Sequence, residues 1–297
     1  DGREAAADDS DWDRTRLTRW AVDALASAGR LDEALCFALG AAKDTVGCSR
    51  KVELLIQAGR LDEAKAIARE GIRKAAANRG YGAAELRGRL LDIAESERDR
   101  ALVAAFRADQ FADSPSIGTY WALREAAQAV DMWPTVRAAA LDYLRSGARL
   151  VDRPDWPLPD TGCSPTKYAG YAGFPMTGLL IEVALDEEDH EAAAKLYDGW
   201  TPKGAWEGLD TRRQLAAAVA ATPPDTSIAV WRDLAEDCID EANRNGYERS
   251  VPYLKLAQQL LRKLGRGADW DEYITGLRVR NKRRWALIQT LEVLNGQ

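Results

Sequence analysis

His190 stands among Glu187, Glu188, Asp189 and Glu191, and it is the only histidine in the chain. A histidine ringed by carboxylates could do acid–base chemistry or hold a metal ion. The same acidic run suits the first turn of a helix, where carboxylates favour the exposed N–H groups and the helix dipole. The string EEDHEA also aligns with a repeated helix hinge, AGRLDEA, so His190 reads as a solvated helix-start residue. The four cysteines, Cys36, Cys48, Cys163 and Cys238, are scattered without a CxxC pair, and one histidine cannot complete a zinc set with them. They read as free thiols, mostly buried, in a reducing cytoplasm. No serine, threonine or cysteine has a histidine partner in a recognisable motif, and no GxSxG, phosphate loop or dinucleotide fingerprint occurs. Gly162, Gly170 and Gly173 lack phosphate-loop spacing and read as turn residues. The sequence offers no catalytic residue, metal set or cofactor site, and no enzyme is expected.

One charge asymmetry remains. Arg278, Arg280, Lys282, Arg283 and Arg284 place five cations in seven residues, with Trp285 beside them. From residue 249 to 297 there are ten basic and four acidic residues, a net +6 against −6 for the whole chain. Such a run can bind nucleic-acid phosphate or an acidic partner. It can equally be a solvated turn and first helical face, partly neutralised by acidic neighbours, and the absence of a second basic stripe favours that reading.

The elements that position these residues show in a repeat. The seven residues AGRLDEA occur at Ala28–Ala34 and again at Ala58–Ala64, thirty residues apart. A verbatim repeat at this period marks a stacked architecture. Gly29 and Gly59 can take the left-handed conformation that ends a helix, and Asp32–Glu33 and Asp62–Glu63 suit the first turn of the next. Ala34 and Ala64 place a methyl group where two helices approach closely. Paired carboxylates such as Asp32 and Glu33 are thereby explained without chemistry. EEDHEA, Glu187–Ala192, reads as a third, degenerate hinge in which His190 takes the place of Asp32.

These hinges resemble those of the tetratricopeptide family, in which a Gly ends the first helix and a Glu–Ala pair comes four and five residues later. Gly29, Glu33 and Ala34 match, as do Gly59, Glu63 and Ala64. The chain departs from that family in its thirty-residue offset and in Val22 and Val52, which replace a small residue midway along the first helix. The resemblance implies an extended concave surface lined by the first helix of each pair. Its inner positions here are Arg16, Arg19 and Asp23 in the first unit, and Ser49, Glu53 and Gln57 in the second.

Helical periodicity continues along the chain, with no convincing strand alternation. Ser114-Pro115-Ser116 reads as a helix start, Ser146-Gly147 as an end, and Gly246 as a stop between two long amphipathic helices. Residues 148–175 hold five Pro and three Gly and read as a long ordered crossover. The acidic opening DGREAAADDSD has no signal-peptide pattern and reads as a linker over residues 1–11, in a fragment of a longer protein. Two helical halves come after it, residues 12–147 and 176–297. The expectation is an all-α, tetratricopeptide-like solenoid of antiparallel pairs with about 13–15 helices. No uncharged apolar stretch approaches the roughly eighteen residues needed to span a bilayer. A net charge of −6 on 297 residues argues against wholesale affinity for nucleic acid or anionic membrane.

A longer likeness rests on several short motifs. Phe111–Leu123 (FADSPSIGTYWAL) resembles an F-x3-PS-x3-Y-x2-L stretch in the C-terminal helical region of bacterial SWIM zinc-finger proteins. So do Trp156-Pro157-Leu158-Pro159, the ending Trp270-x2-Tyr273-x3-Leu277-Arg278, and the basic run Asn281-Lys282-Arg283-Arg284. The resemblance implies a helical-repeat module of a protein whose finger, CxC followed by CxH, lies outside this sequence. The expected function is a non-catalytic scaffold that binds a protein or peptide; the opposing class is a nucleic-acid-binding helical domain using the basic patch.

Overall fold

A computed structural model of the chain describes residues 17, 20–41, 45–77, 82–163, 173–200, 202 and 208–294. Among these residues there is no strand, and the fold is all-α with fifteen helices. The expected linker over residues 1–11 lies outside the described residues. Helix α1 covers 20–27, and after it come α2 (Leu31–Ala41), α3 (Thr45–Gln57), α4 (Leu61–Ala77), α5 (Ala83–Ser96), α6 (Arg100–Asp113), α7 (Ile117–Gln128) and α8 (Trp133–Ser146). A short 3-10 turn at Leu150–Asp152 opens the crossover. The later helices are α9 (Thr177–Asp186), α10 (His190–Asp198), α11 (Leu209–Ala218), α12 (Pro224–Asp240), α13 (Arg244–Lys263), α14 (Gly267–Arg280) and α15 (Trp285–Glu292). The chain divides into two compact units, Asp1–Gly173 and Phe174–Gln297.

Gly29 and Gly59 sit where the repeat requires, between helices, with φ of 74° and 73°. The N–H of Arg30 donates to the Leu25 carbonyl and that of Arg60 to the Leu55 carbonyl, each at 2.9 Å. Gly29 and Gly59 donate to Ala26 and Ile56, each at 3.0 Å. This paired closure satisfies carbonyls that a helix end leaves open. It recurs at four later helix ends, three of them without a glycine. Arg98, Asp131 and Glu188 hold φ of 59°, 58° and 59°, and Gly265 holds 72°. The next residues, Asp99, Met132, Asp189 and Arg266, donate back to Ala94, Ala127, Ala184 and Leu261 at 3.0, 2.9, 2.8 and 2.8 Å. Six helix ends among the described residues therefore close in the same way.

Each closure also sets the register of the helix after it. The fifth residue beyond the left-handed one is Ala34, Ala64, Val136, Ala193 or Trp270 at five of the hinges, and each is buried. Consecutive helices pack against one another from α2 to α8 and from α9 to α14, and α3 also packs on α5, α9 on α11 and α13 on α15. Helices joined by a few residues and packed together in this way run antiparallel. The core of the first hairpins gathers Val22, Leu35, Val52, Leu55, Ala68, Ile72, Leu90 and Phe106. In the second unit Ile181, Leu215, Trp231, Leu254, Leu261, Trp270 and Leu287 do the same.

Three local expectations are corrected. The hinge near His190 is shifted by one residue: Glu188 is the left-handed residue, so His190 occupies the place of Leu31, not Asp32, and Asp189 caps α10 by accepting from the Ala192 N–H at 3.0 Å. The helix after Phe111 starts at Ile117 rather than behind Ser114, because Ser116 and Thr119 form a reciprocal cap. Gly246 is no stop; it lies in the first turn of α13, where Asn243 accepts from its N–H at 2.8 Å. A side chain there would collide with the Cys238 carbonyl, so glycine is needed for close approach to α12, and Ala242 takes the left-handed turn instead (φ 54°). The basic residues 281–284 lie in the turn between α14 and α15, and α15 starts at Trp285.

Replacing Ala34 or Ala64 by Leu is expected to overpack the seam and cost about 1–3 kcal/mol, as read by urea denaturation. Replacing Arg98 by Gly is expected to relieve left-handed strain and stabilise by about 0.5–1 kcal/mol, the remainder of a roughly 1–2 kcal/mol conformational cost after the glycine entropy loss. An unchanged midpoint in both experiments contradicts the hinge geometry.

Candidate partner-binding faces

The closure gives each hairpin of the first unit a common ruler. Six residues before the left-handed residue stand Asp23, Glu53, Asp92 and Glu125, on α1, α3, α5 and α7. Asp23, Asp92 and Glu125 are exposed and Glu53 is half-buried. Arg50 ties two of these helices together, contacting Asp23 at 2.6 Å and Glu53 at 2.7 Å. Arg89 approaches Asp92 at 3.7 Å. A stripe of polar groups thus recurs on the first helices, and Gln57 is exposed on the same side-chain row of α3 as Glu53. Ser49, the third expected position on α3, is buried at 6% exposure and so cannot contact a partner from solvent. Arg16 and Arg19 lie outside the described residues. Asp92 and Glu125 were missed by sequence reasoning because their hinges close on Arg98 and Asp131 instead of glycine.

The basic patch is only partly open. Arg280 donates to Glu236 at 3.2 Å, and Arg284 donates to the Ile239 carbonyl at 3.1 Å with Asp240 at 3.8 Å. Arg278 turns inward to the Leu291 carbonyl at 3.4 Å. Lys282 and Arg283 are exposed and make no ion pair among the described residues. Trp285, beside them, is 71% exposed. α12 therefore supplies the acidic neighbours that the sequence does not place near this run.

A dense cluster of polar side chains lies in the first unit and drew no notice in the sequence. A cavity of about 90 Å³ is bounded by Arg87, Asp109, Asp113, Tyr143, Arg149 and Cys163, with apolar walls from Ala108, Ala112 and Leu150. Arg87 on α5 pairs with Asp113 at the end of α6, and the Tyr143 hydroxyl donates to the Ala112 carbonyl at 2.7 Å. The crossover is pinned here: the Thr161 hydroxyl donates to Asp109 at 2.7 Å, and Arg69 of α4 donates to the Thr161 carbonyl at 3.2 Å. Burial pushes the Asp109 carboxyl above the ordinary carboxylate range, against the opposing effects of the Thr161 hydroxyl and the Arg87 charge. Burial also raises the Cys163 thiol, and the Asp109 charge adds to it, which leaves the sulfur a poor nucleophile. The arrangement anchors the loop to α4 and α6 through Arg69 and Asp109.

A second polar knot holds the other unit together. Arg212 on α11 is fully buried and donates to Asp237 on α12 at 2.7 Å. The Tyr197 hydroxyl donates to Asp233 at 2.7 Å, and burial together with that carboxylate raises the phenol well above its ordinary value. Cys48 and Cys238 are buried, Cys163 is half-buried and Cys36 is exposed; all four are free thiols. Among the described residues no group of three or more His, Cys, Asp or Glu side chains is placed to hold a metal ion, and no helix is long and apolar enough to cross a membrane.

No family model matches the chain, and no curated protein or solved structure does either.

Two measurements check these anchors. Because the native state holds the Asp109 proton more tightly than the unfolded chain, stability falls as pH rises from the ordinary carboxylate range through the raised Asp109 value. Asp109→Asn is expected to flatten that part of the urea-denaturation pH profile; an identical slope in both proteins contradicts the assignment. Arg212→Ala is expected to destabilise the second unit by about 3 kcal/mol, since it strands the Asp237 carboxylate and empties a packed site.

Proposed function

We propose that the chain is a non-catalytic helical-repeat scaffold whose tetratricopeptide-like hairpins bind a protein or peptide partner through the face formed by the first helix of each pair. The observation that carries this reading is the recurrence of Asp23, Glu53, Asp92 and Glu125 at one fixed distance from four successive helix closures. Residues at equal offset in stacked hairpins line one side, and the tetratricopeptide-like reading makes the side of the first helices the concave one. The carboxylates, with Arg50 and Arg89 between them, offer an extended partner segment a row of hydrogen-bond and ion-pair positions without a catalytic constellation. The SWIM-like motifs favour a module of a larger zinc-finger protein, and the four free thiols favour a cytoplasmic setting.

Phosphate binding through the C-terminal turn is disfavoured, because Glu236 and Asp240 already engage Arg280 and Arg284. Peptides selected from a displayed library against the folded protein test the choice. Glu53→Lys, Asp92→Lys and Glu125→Lys together are expected to weaken such a peptide about tenfold or more, while Lys282→Glu and Arg283→Glu leave it unchanged. Tight DNA or RNA binding that falls steeply with salt and is lost on the second pair of changes overturns the proposal.

A further inference from the structure

The carboxylates of the partner face have counterparts in the second unit, and there the chain itself shows what such a group takes. Six residues before the left-handed Glu188 and Ala242 stand Glu182 on α9 and Glu236 on α12, the same offset as Asp23, Glu53, Asp92 and Glu125. Glu182 accepts from the Thr211 hydroxyl of α11 at 2.6 Å. Glu236 accepts from the Tyr273 hydroxyl and the Arg280 guanidinium of α14, at 3.0 and 3.2 Å. Arg232 of α12 lies over the Tyr273 ring, 4.2 Å from its centroid. Asp23 of α1 is served likewise by Arg50 of α3, at 2.6 Å. In each case the donor comes from the helix two further along. Before Gly265 the position is Gln259, which carries no charge.

Two positions lack that service. Glu125 on α7 is exposed and makes no ion pair among the described residues. Asp92 on α5 has Arg89 of its own helix at 3.7 Å, beyond hydrogen-bond length, and nothing from α7. Glu85, two turns before Asp92 on the same row, is exposed as well. The row therefore presents Glu85, Asp92 and Glu125 against Arg89, since Arg87 is turned inward to Asp113 and Arg124 lies off the row of Glu125. Trp121, 47% exposed, stands one turn before Glu125, so an indole and a carboxylate face the same solvent.

We propose that the segment bound on this face carries arginine, with a guanidinium lying over Trp121 and pairing with Glu125 and a second cation meeting Asp92. The inference rests on the partner-face reading and adds the chemistry of the occupant. A guanidinium suits the site better than an ammonium, because its plane stacks on an aromatic ring while its edge donates to a carboxylate. The chain uses that chemistry between α12 and α14, where one guanidinium covers the Tyr273 ring and another serves Glu236. An acidic segment meets three carboxylates and is repelled.

Peptides selected from a displayed random library against the whole chain are the probe. Arginine is expected to be enriched among them. Replacing the enriched arginine by glutamine is expected to weaken a synthetic copy about tenfold or more. Replacement by lysine is expected to weaken it less, since lysine keeps the ion pair and loses the stacked fork. Against Glu125→Gln protein the arginine-to-glutamine change is expected to lose most of its effect, as coupled groups require. Trp121→Ala is expected to erase the preference for arginine over lysine while far-UV circular dichroism is unchanged. An arginine effect of full size against Glu125→Gln protein overturns the proposal. Peptides lost when Glu53, Asp92 and Glu125 become Lys, yet indifferent to their own arginine, overturn it and leave the partner face standing. Peptides that ignore those three reversals, or a selection that yields none, overturn both.

Discussion

The constraint on which the structure depends is the turn at each helix end: the chain must reverse within a few residues without stranding its last carbonyls. One left-handed residue solves this, because it aims two successive N–H groups back at the helix it has left. Where that residue is glycine the conformation is free of side-chain strain; where it is Arg98, Asp131 or Glu188 the strain is offset by the two hydrogen bonds and by the packing that the reversal permits. The geometry of the closure then fixes the rotation of the next helix. That is why a small or apolar side chain falls into the seam five residues later, whether it is Ala34, Val136 or Trp270.

Much of this was legible in the sequence, and the hinges it hid share one cause. Gly29 and Gly59 could be read because glycine advertises a positive φ, and the AGRLDEA repeat supplied the register. The hinges at Arg98 and Asp131 stayed hidden because their residue types carry no such signal, and without them Asp92 and Glu125 had no place beside Asp23 and Glu53. At Glu188 the same difficulty displaced the register by one, since Glu191-Ala192 imitates Glu33-Ala34 while the backbone closes one residue later. Gly246 misled in the other direction: its lack of a side chain serves contact with the Cys238 carbonyl.

Tertiary electrostatics was the other invisible layer. The basic run at Arg278–Arg284 looks open in sequence, yet Glu236 and Asp240 reach it from α12, about forty residues earlier. Asp109 and Thr161 are 52 positions apart, and Arg87 and Asp113 are 26 apart; no spacing rule connects them, though together they fasten the crossover to the helices. The aromatic and leucine positions of the short sequence motifs have a packing role. Phe111, Tyr120 and Leu123 are all buried, with Phe111 6.0 Å from both Tyr120 and Tyr143 and Tyr120 5.3 Å from Trp133. Trp270 and Leu277 are buried likewise. These positions hold the hairpins together.

The recurring closure underlies every other feature of the fold, and backbone nuclear magnetic resonance tests it most directly. Three-bond couplings and Cα shifts report the sign of φ residue by residue in solution. The account requires positive φ at Gly29, Gly59, Arg98, Asp131, Glu188 and Gly265. Helical values at Arg98, Asp131 and Glu188 would mean that those helices run on through their supposed ends, and the shared register of the four carboxylates would be lost with them.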